Sequence, residues 1–423
     1  MPLTVQVVGQ ASKRGMIPRT PTAERLVADI ETWVAAEYPD VVRASRRTEP
    51  ATGEIALHLD LHPAASNAVV TVTEGGAVTL SAETAPVGPG YHTFVTRLAQ
   101  RLGGDQSIEW TPGDGSAGGP AATPFEDRAT IERAHLAWLG ALLVGIRDAR
   151  RGLPRGIQIG IRPDIRYSFD GALATVLGPR DDAWLEQAAV EPRSAIGILP
   201  WWADATDARY LLNRALCLMW TEVRWRSPID PTERALLDEV VLLLAHAFPL
   251  DPSLPYPWRE WSELFELRNT DEPTAGDIAE RAKAVAIDLT PIGYRRRPVT
   301  ITHEGWSLAV PGTFAERHTP EEWWGGEAGR SVTLAAVDTG TMTGEAFLDQ
   351  VASELGFDAI SHQAGGLVGR AKLGTDASSG LEVGVVEGYS AVRGSGAAIR
   401  IVFDDATDWQ WALDLWRALT PAT

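Results

Sequence analysis

The residues best spaced for chemistry are His58, Asp60 and His62, in the run His58-Leu59-Asp60-Leu61-His62. On an extended chain, residues two apart project from the same face, so two imidazoles and a carboxylate would stand in a row. Zinc and iron accept such ligands, and His92 is available as a fourth. Strand geometry argues the other way. Same-face neighbours lie roughly 6.5–7 Å apart at the α-carbon, an awkward separation for three ligands of one ion. A polar strand face turned to water explains the same pattern.

A second constellation is Tyr91-His92, which follows Gly88-Pro89-Gly90 at a helix start. Helix N-termini attract anions, so both residues are candidates for facing a ligand; turn glycines with a capping histidine are the simpler account. Trp201-Trp202 and Trp323-Trp324 are candidate exposed anchors for a protein partner, since tryptophan is over-represented at interface hot spots; a place in the core is the alternative for each. Cys217 lies between Leu216 and Leu218-Met219, where a thiol is expected to be buried and inert. His135 falls on an apolar helical face with Ile131, Trp138 and Leu142, and His246 ends a helix, where a cation suits the dipole. Arg295-Arg296-Arg297 is expected to be a solvated linker. No phosphate-binding glycine loop, dinucleotide fingerprint, Gly-x-Ser-x-Gly or His-Glu-x-x-His is present. No catalytic residue is therefore assigned, and no cofactor is expected.

The elements that must position these residues follow from periodicity. Ile55, Leu57, Leu59 and Leu61 alternate through the clearest strand, and Glu74-Gly75-Gly76 sits between two strand patterns as a hairpin turn. With helices through Leu26–Val34 and Phe94–Leu102, residues 1–110 read as an α+β domain with an antiparallel sheet. The Gly/Pro-rich stretch 111–123 reads as a linker. Residues 124–290 form a mainly helical, Trp-rich hub. Its densest part runs from Asp207 to Leu267, and one helix start is signalled by Asp230, Pro231 and Glu233. Strand patterns return in 291–423, with Trp306–Val310 as one strand and a final helix through Trp409, Ala412 and Trp416. The fold class expected is α+β, multidomain.

The run Trp306-Ser307-Leu308-Ala309-Val310-Pro311-Gly312-Thr313-Phe314 resembles the strand-plus-Pro-Gly opening of PsbP-like domains. Over residues 297–420, that resemblance implies a sheet backed by helices in an accessory or binding module, not an enzyme. The Trp323-Trp324 insertion and the fusion to a helical hub depart from the family's simplest form.

Length and charge bound the rest. At 423 residues the chain exceeds one ordinary core. A net charge of −18 disfavours nucleic acid and anionic membrane as partners. The single cysteine excludes an internal disulfide and a multi-cysteine metal site. Lacking a secretory signal and a transmembrane pattern, the chain is expected in the cytoplasm. The function these features favour is a non-catalytic adaptor or scaffold that binds other proteins. A metal-dependent enzyme using His58, Asp60 and His62, and a small-ligand-binding protein, are the alternatives.

Overall fold

The computed structural model describes residues 3–12, 21–39, 41–48, 54–112, 127–150, 157–270, 272–286, 290–355, 360–377 and 382–422. The fold is α+β with several separate sheets, and the chain divides into two compact units. The first comprises Met1–Ile161, Phe169–Thr221 and Asp238–Trp261; the second comprises Arg162–Ser168, Glu222–Leu237 and Ser262–Thr423. The expected linker at 111–123 lies almost wholly outside the described residues.

In the first unit, β1 (Thr4–Ala11), α1 (Ala23–Glu37), β2 (Ala44–Thr48), β3 (Ile55–Asp60), β4 (Ala68–Val72), β5 (Ala77–Glu83), α2 (Pro89–Gln106) and β6 (Ile108–Pro112) build one layered body. The six strands form an antiparallel sheet in the order β2-β3-β4-β5-β1-β6. Alternation puts Leu57, Leu59, Val70 and Leu80 on one face, where Leu26, Ile30 and Val34 of α1 and Val95, Leu98 and Leu102 of α2 join them in a single core. A sheet with one greasy face covered by two amphipathic helices needs no further layer to be stable. The chain can turn at β4–β5 because Gly76 adopts φ +77°.

The first unit continues with α3 (Arg128–Arg150) and β7 (Ile157–Ile159); β8 (Ile165–Tyr167) belongs to the second unit. Back in the first are β9 (Leu173–Thr175), β10 (Gly178–Arg180), α4 (Asp182–Val190), a 3-10 turn at Pro192–Ile198 and α5 (Ala208–Thr221). Leu139, Leu143 and Ile146 of α3 pack with Leu185 and Ala188 of α4 and with Ala195 and Ile198. Among the described residues, α3 is the one helix long and apolar enough to cross a membrane by length and composition; its apolar face is used in this packing. Two more helices, α6 (Pro231–Leu250) and α7 (Trp258–Arg268), each span a boundary between the units. The start of α6 is capped as expected. Asp230 accepts from the Glu233 amide at 2.8 Å, and the Glu233 carboxylate accepts from the Ile229 amide at 3.0 Å. Pro249 lies inside α6, one residue before its end. The proline-rich crossing that follows folds Tyr256 against Phe248, beside Trp258 and Trp261 stacked at 5.6 Å.

The second unit holds α8 (Ala275–Lys283), β11 (Val299–His303), β12 (Trp306–Val310), β13 (Ala315–His318), β14 (Trp323–Glu327), β15 (Arg330–Asp338), α9 (Gly344–Leu355), β16 (Ile360–Ala364), β17 (Leu367–Asp376), β18 (Val383–Val392), β19 (Ser395–Phe403), α10 (Trp409–Arg417) and β20 (Thr420–Pro421). Its larger sheet is antiparallel in the order β13-β14-β15-β19-β18-β17-β16, and a smaller one runs β20-β12-β11-β8. Gly388 of β18 and Gly369 of β17 leave room for the buried Trp416 indole of α10; a Cβ at Gly388 would lie 2.5 Å from it.

Candidate functional site

The site grows out of the Gly88-Pro89-Gly90 turn in the first unit. Gly88 takes φ +119°, and Pro89 begins α2. Without a Cβ, Gly90 lets the segment around Trp201 lie directly on the first turn of α2; a Cβ there would meet the Ala203 carbonyl at 2.1 Å and the Trp201 ring at 2.4 Å. The Gly90 amide donates to the Trp201 carbonyl at 3.0 Å, and the Trp201 amide donates to the Val87 carbonyl at 2.9 Å. This helix N-terminus is thus satisfied by the protein's own backbone rather than left open for an anion.

The docked segment shapes an open cleft of about 930 Å³. Phe94, Trp201 and Leu254 give it an apolar floor, and Leu250 stands at its mouth with 65% of its surface exposed. An adjoining hollow of about 300 Å³ shares Trp201, Ala205, Asp207 and Arg209 and is completed by Trp202, Tyr210 and Asn213. The charged groups of the rim have structural work. Asp204 bonds Arg97 at 3.1 Å and Arg128 at 2.9 Å, while Arg128 also reaches Glu132 at 2.7 Å and the Trp202 carbonyl. Asp207 caps α5 by accepting from the Tyr210 amide at 3.0 Å. Asp251 accepts from the Ser253 amide and hydroxyl at 3.0 and 2.6 Å.

Behind the floor is a box of rings. Trp201 lies 4.3 Å from Tyr210, 5.9 Å from Tyr91 and 6.1 Å from His62, centroid to centroid. His62 accepts the Ala64 amide on Nδ1 at 3.1 Å, so the neutral ring carries its proton on Nε2. That atom, Tyr91 Oη and Trp201 Nε1 are buried without a hydrogen-bond partner among the described residues. Burial first, then the charges of Arg214 and Arg43, hold His62 well below its ordinary range. Arg214 is itself buried, bonding the Tyr210 hydroxyl at 3.0 Å, the Val41 carbonyl at 3.2 Å and Glu239 at 3.2 Å. His92 pairs with the Thr84 hydroxyl at 2.9 Å and meets His135 edge-on at 5.8 Å. Burial, with a smaller push from His135, brings His92 down to about 4.

The second unit contains a polar cluster with no counterpart in any sequence motif. Glu316, its side chain 4% exposed, bonds Arg295 at 2.7 Å and faces Arg224 at 3.9 Å. His318 lies 3.7 Å from Glu316 and 3.9 Å from Asp164, which is held by Arg162. Burial would raise the Glu316 carboxyl, but His318, Arg295 and Arg224 outweigh it and hold it below the usual carboxylate range. Burial and the neighbouring Arg295 charge lower Arg224 to about 10.

Several expectations need correction against this geometry. His58, Asp60 and His62 do not converge. His58 pairs with the Thr48 hydroxyl at 3.0 Å, Asp60 with Arg43 at 3.2 Å, and His62 lies beyond the end of β3 in the aromatic box. Among the described residues, no group of three or more His, Cys, Asp or Glu side chains is placed to hold a metal. Tyr91 and His92, the candidates for facing a ligand, are both buried and line neither the cleft nor the adjoining hollow. Trp201 is 2% exposed and Trp323 0%, so neither is a surface anchor. Trp202 is half-buried beside the smaller hollow, and Trp324 is half-buried under the Arg317 guanidinium at 4.7 Å. Arg295 and Arg296 are not a solvated linker either. The first is buried on Glu316, and the second pairs with Glu263 and lies 3.7 Å over the Trp225 ring. No motif marks Asp204, Arg209 or Leu250 as a rim; of these lining residues only Asp207, a helix-capping type before an apolar run, carries a readable signal in the sequence.

No family model matches the chain, and no curated protein does. A crystal structure from Bacteroides thetaiotaomicron VPI-5482 is similar over 28% of this chain and 46% of its own, at 10% identity and a TM-score of 0.26. The chain thus spans less than half the length of that protein, and the likeness carries no weight for fold or function.

Proposed function

We propose that the protein is a cytoplasmic, non-catalytic adaptor that binds another protein through the cleft of its first unit. The observation that carries this reading is the cleft of about 930 Å³ with an apolar floor and Leu250 exposed at its mouth. An apolar concavity with a polar rim suits burial of a partner's side chains. Its lining supports binding over chemistry. Asp204, Asp207 and Asp251 each hold structure, and no histidine, cysteine or lysine lies among the lining residues. The resemblance of residues 297–420 to PsbP-like accessory modules agrees with a non-enzymatic role, and the net charge of −18 agrees with a protein partner rather than nucleic acid.

The test is affinity capture from native lysate with the wild-type protein and with Leu250→Asp. A stoichiometric partner held by the wild type and lost from a folded Leu250→Asp protein is the expected result. A partner captured equally by both, or by neither, rejects the cleft as the binding site.

A further inference from the structure

We infer that the segment the cleft receives is basic and amphipathic, with an apolar side chain seated against Phe94 and Leu254 and a lysine or arginine answering Asp207 and Asp251. This rests on the reading of the cleft as a partner site and adds the chemistry of the partner. The charges of the rim lead to it. Asp204, Arg97, Arg128 and Glu132 form a closed set of two cations and two anions, balanced within itself. What remains is Asp207 and Asp251 against Arg209, whose charge already acts on Asp251, leaving a formal balance of one negative charge. Each of those carboxylates engages the protein through Oδ1; Oδ2 has no hydrogen-bond partner among the described residues. The rim therefore presents a net negative charge beside an apolar floor. The first turn of α5 and Arg209 oppose this, yet the Asp207 cap already meets the helix end.

The whole molecule pulls in the same direction. With a net charge of −18, an acidic segment would meet repulsion on approach, and a basic one would be steered in. The apolar component is equally specific. Leu242, Ala245, His246, Pro249 and Leu250 are the exposed positions of α6 within the first unit, spaced three to four apart on one side of the helix. They make a ridge that ends at the cleft mouth, so a partner helix of matching period would rest its apolar face along it.

The experiment uses the full chain at about 0.15 M salt, where non-specific attraction is screened beyond about 8 Å. A synthetic amphipathic Leu/Lys peptide, its Leu/Glu counterpart and a Ser/Lys peptide are titrated by fluorescence anisotropy. The expected result is binding of Leu/Lys alone, weakened about tenfold or more by Asp207→Asn with Asp251→Asn. Asparagine keeps the cap and the turn, so these variants fold. Glu74→Gln with Glu83→Gln removes the same charge at exposed positions away from the cleft and should leave the affinity unchanged. Equal weakening by both pairs would overturn the inference by reducing the effect to net charge. Tight Leu/Glu binding abolished by Leu250→Asp would overturn the basic partner and leave the cleft reading standing. Binding of any peptide that ignores Leu250→Asp, or no binding at all, would overturn both.

Discussion

Two buried side chains make sharp predictions at the scale of single residues. His92 and His135 are both neutral in the fold because burial lowers them from an ordinary value of 6.5, His92 to about 4. The unfolded chain therefore takes up protons first as the pH falls. Stability is complete above about pH 6.5 and declines towards pH 4, by on the order of 3 kcal/mol from His92 alone. Urea denaturation across that window should show the decline, and His92→Gln should flatten it; a wild-type profile no steeper than the variant's would contradict the assignment. Glu316 is the second case. Removing its charge breaks the buried ion pair that Glu316 makes with Arg295 at 2.7 Å, so Glu316→Gln is expected to cost about 3–5 kcal/mol, read as a lower urea midpoint at unchanged m. Neither residue's role was legible in the sequence. Arg224, Arg295 and Glu316 are ordinary charges in a linear reading, and only the chain's long-range path brings them together.

At the scale of elements, α2 and the Trp201 segment depend on one another. Gly90→Ala would drive a methyl into the Ala203 carbonyl and the Trp201 ring, costing about 2 kcal/mol or more by overpacking and reshaping the cleft floor. Gly104→Ala in the same helix meets nothing within 4 Å and should stabilise by about 0.5–1 kcal/mol. Paired thermal melts check both; a harmless Gly90→Ala would refute the close docking. Elements with strong local patterns were readable in advance. The alternating β3, the Gly-Gly hairpin of β4 and β5, the Asp230 cap of α6 and the Trp306–Val310 strand all fall where periodicity and capping place them. β13, β14, β16 and β17 went unread. Runs such as Ile360-Ser361-His362-Gln363-Ala364 are mostly polar or glycine-interrupted, and their strand state comes from ladder partners rather than from an apolar alternation.

At the scale of the molecule, the α+β class follows from composition and pattern, but the division into units does not. Consecutive domains were expected, whereas β8 and the start of α6 belong with the C-terminal residues. A sequence pattern records which side of an element is apolar, not which remote element covers it. The same limit hid the cleft, whose lining comes from α2, the segment before α5, and the end of α6. The central claim is that this cleft receives a partner protein. The most direct measurement is photo-crosslinking in native cells from a benzoylphenylalanine placed at Ala205, with Leu373 in the second unit, 41% exposed, as the reference position. A discrete crosslinked species from position 205, lost on adding Leu250→Asp, is the expected result. Crosslinking at 205 no stronger than at 373, or undiminished by Leu250→Asp, would contradict it.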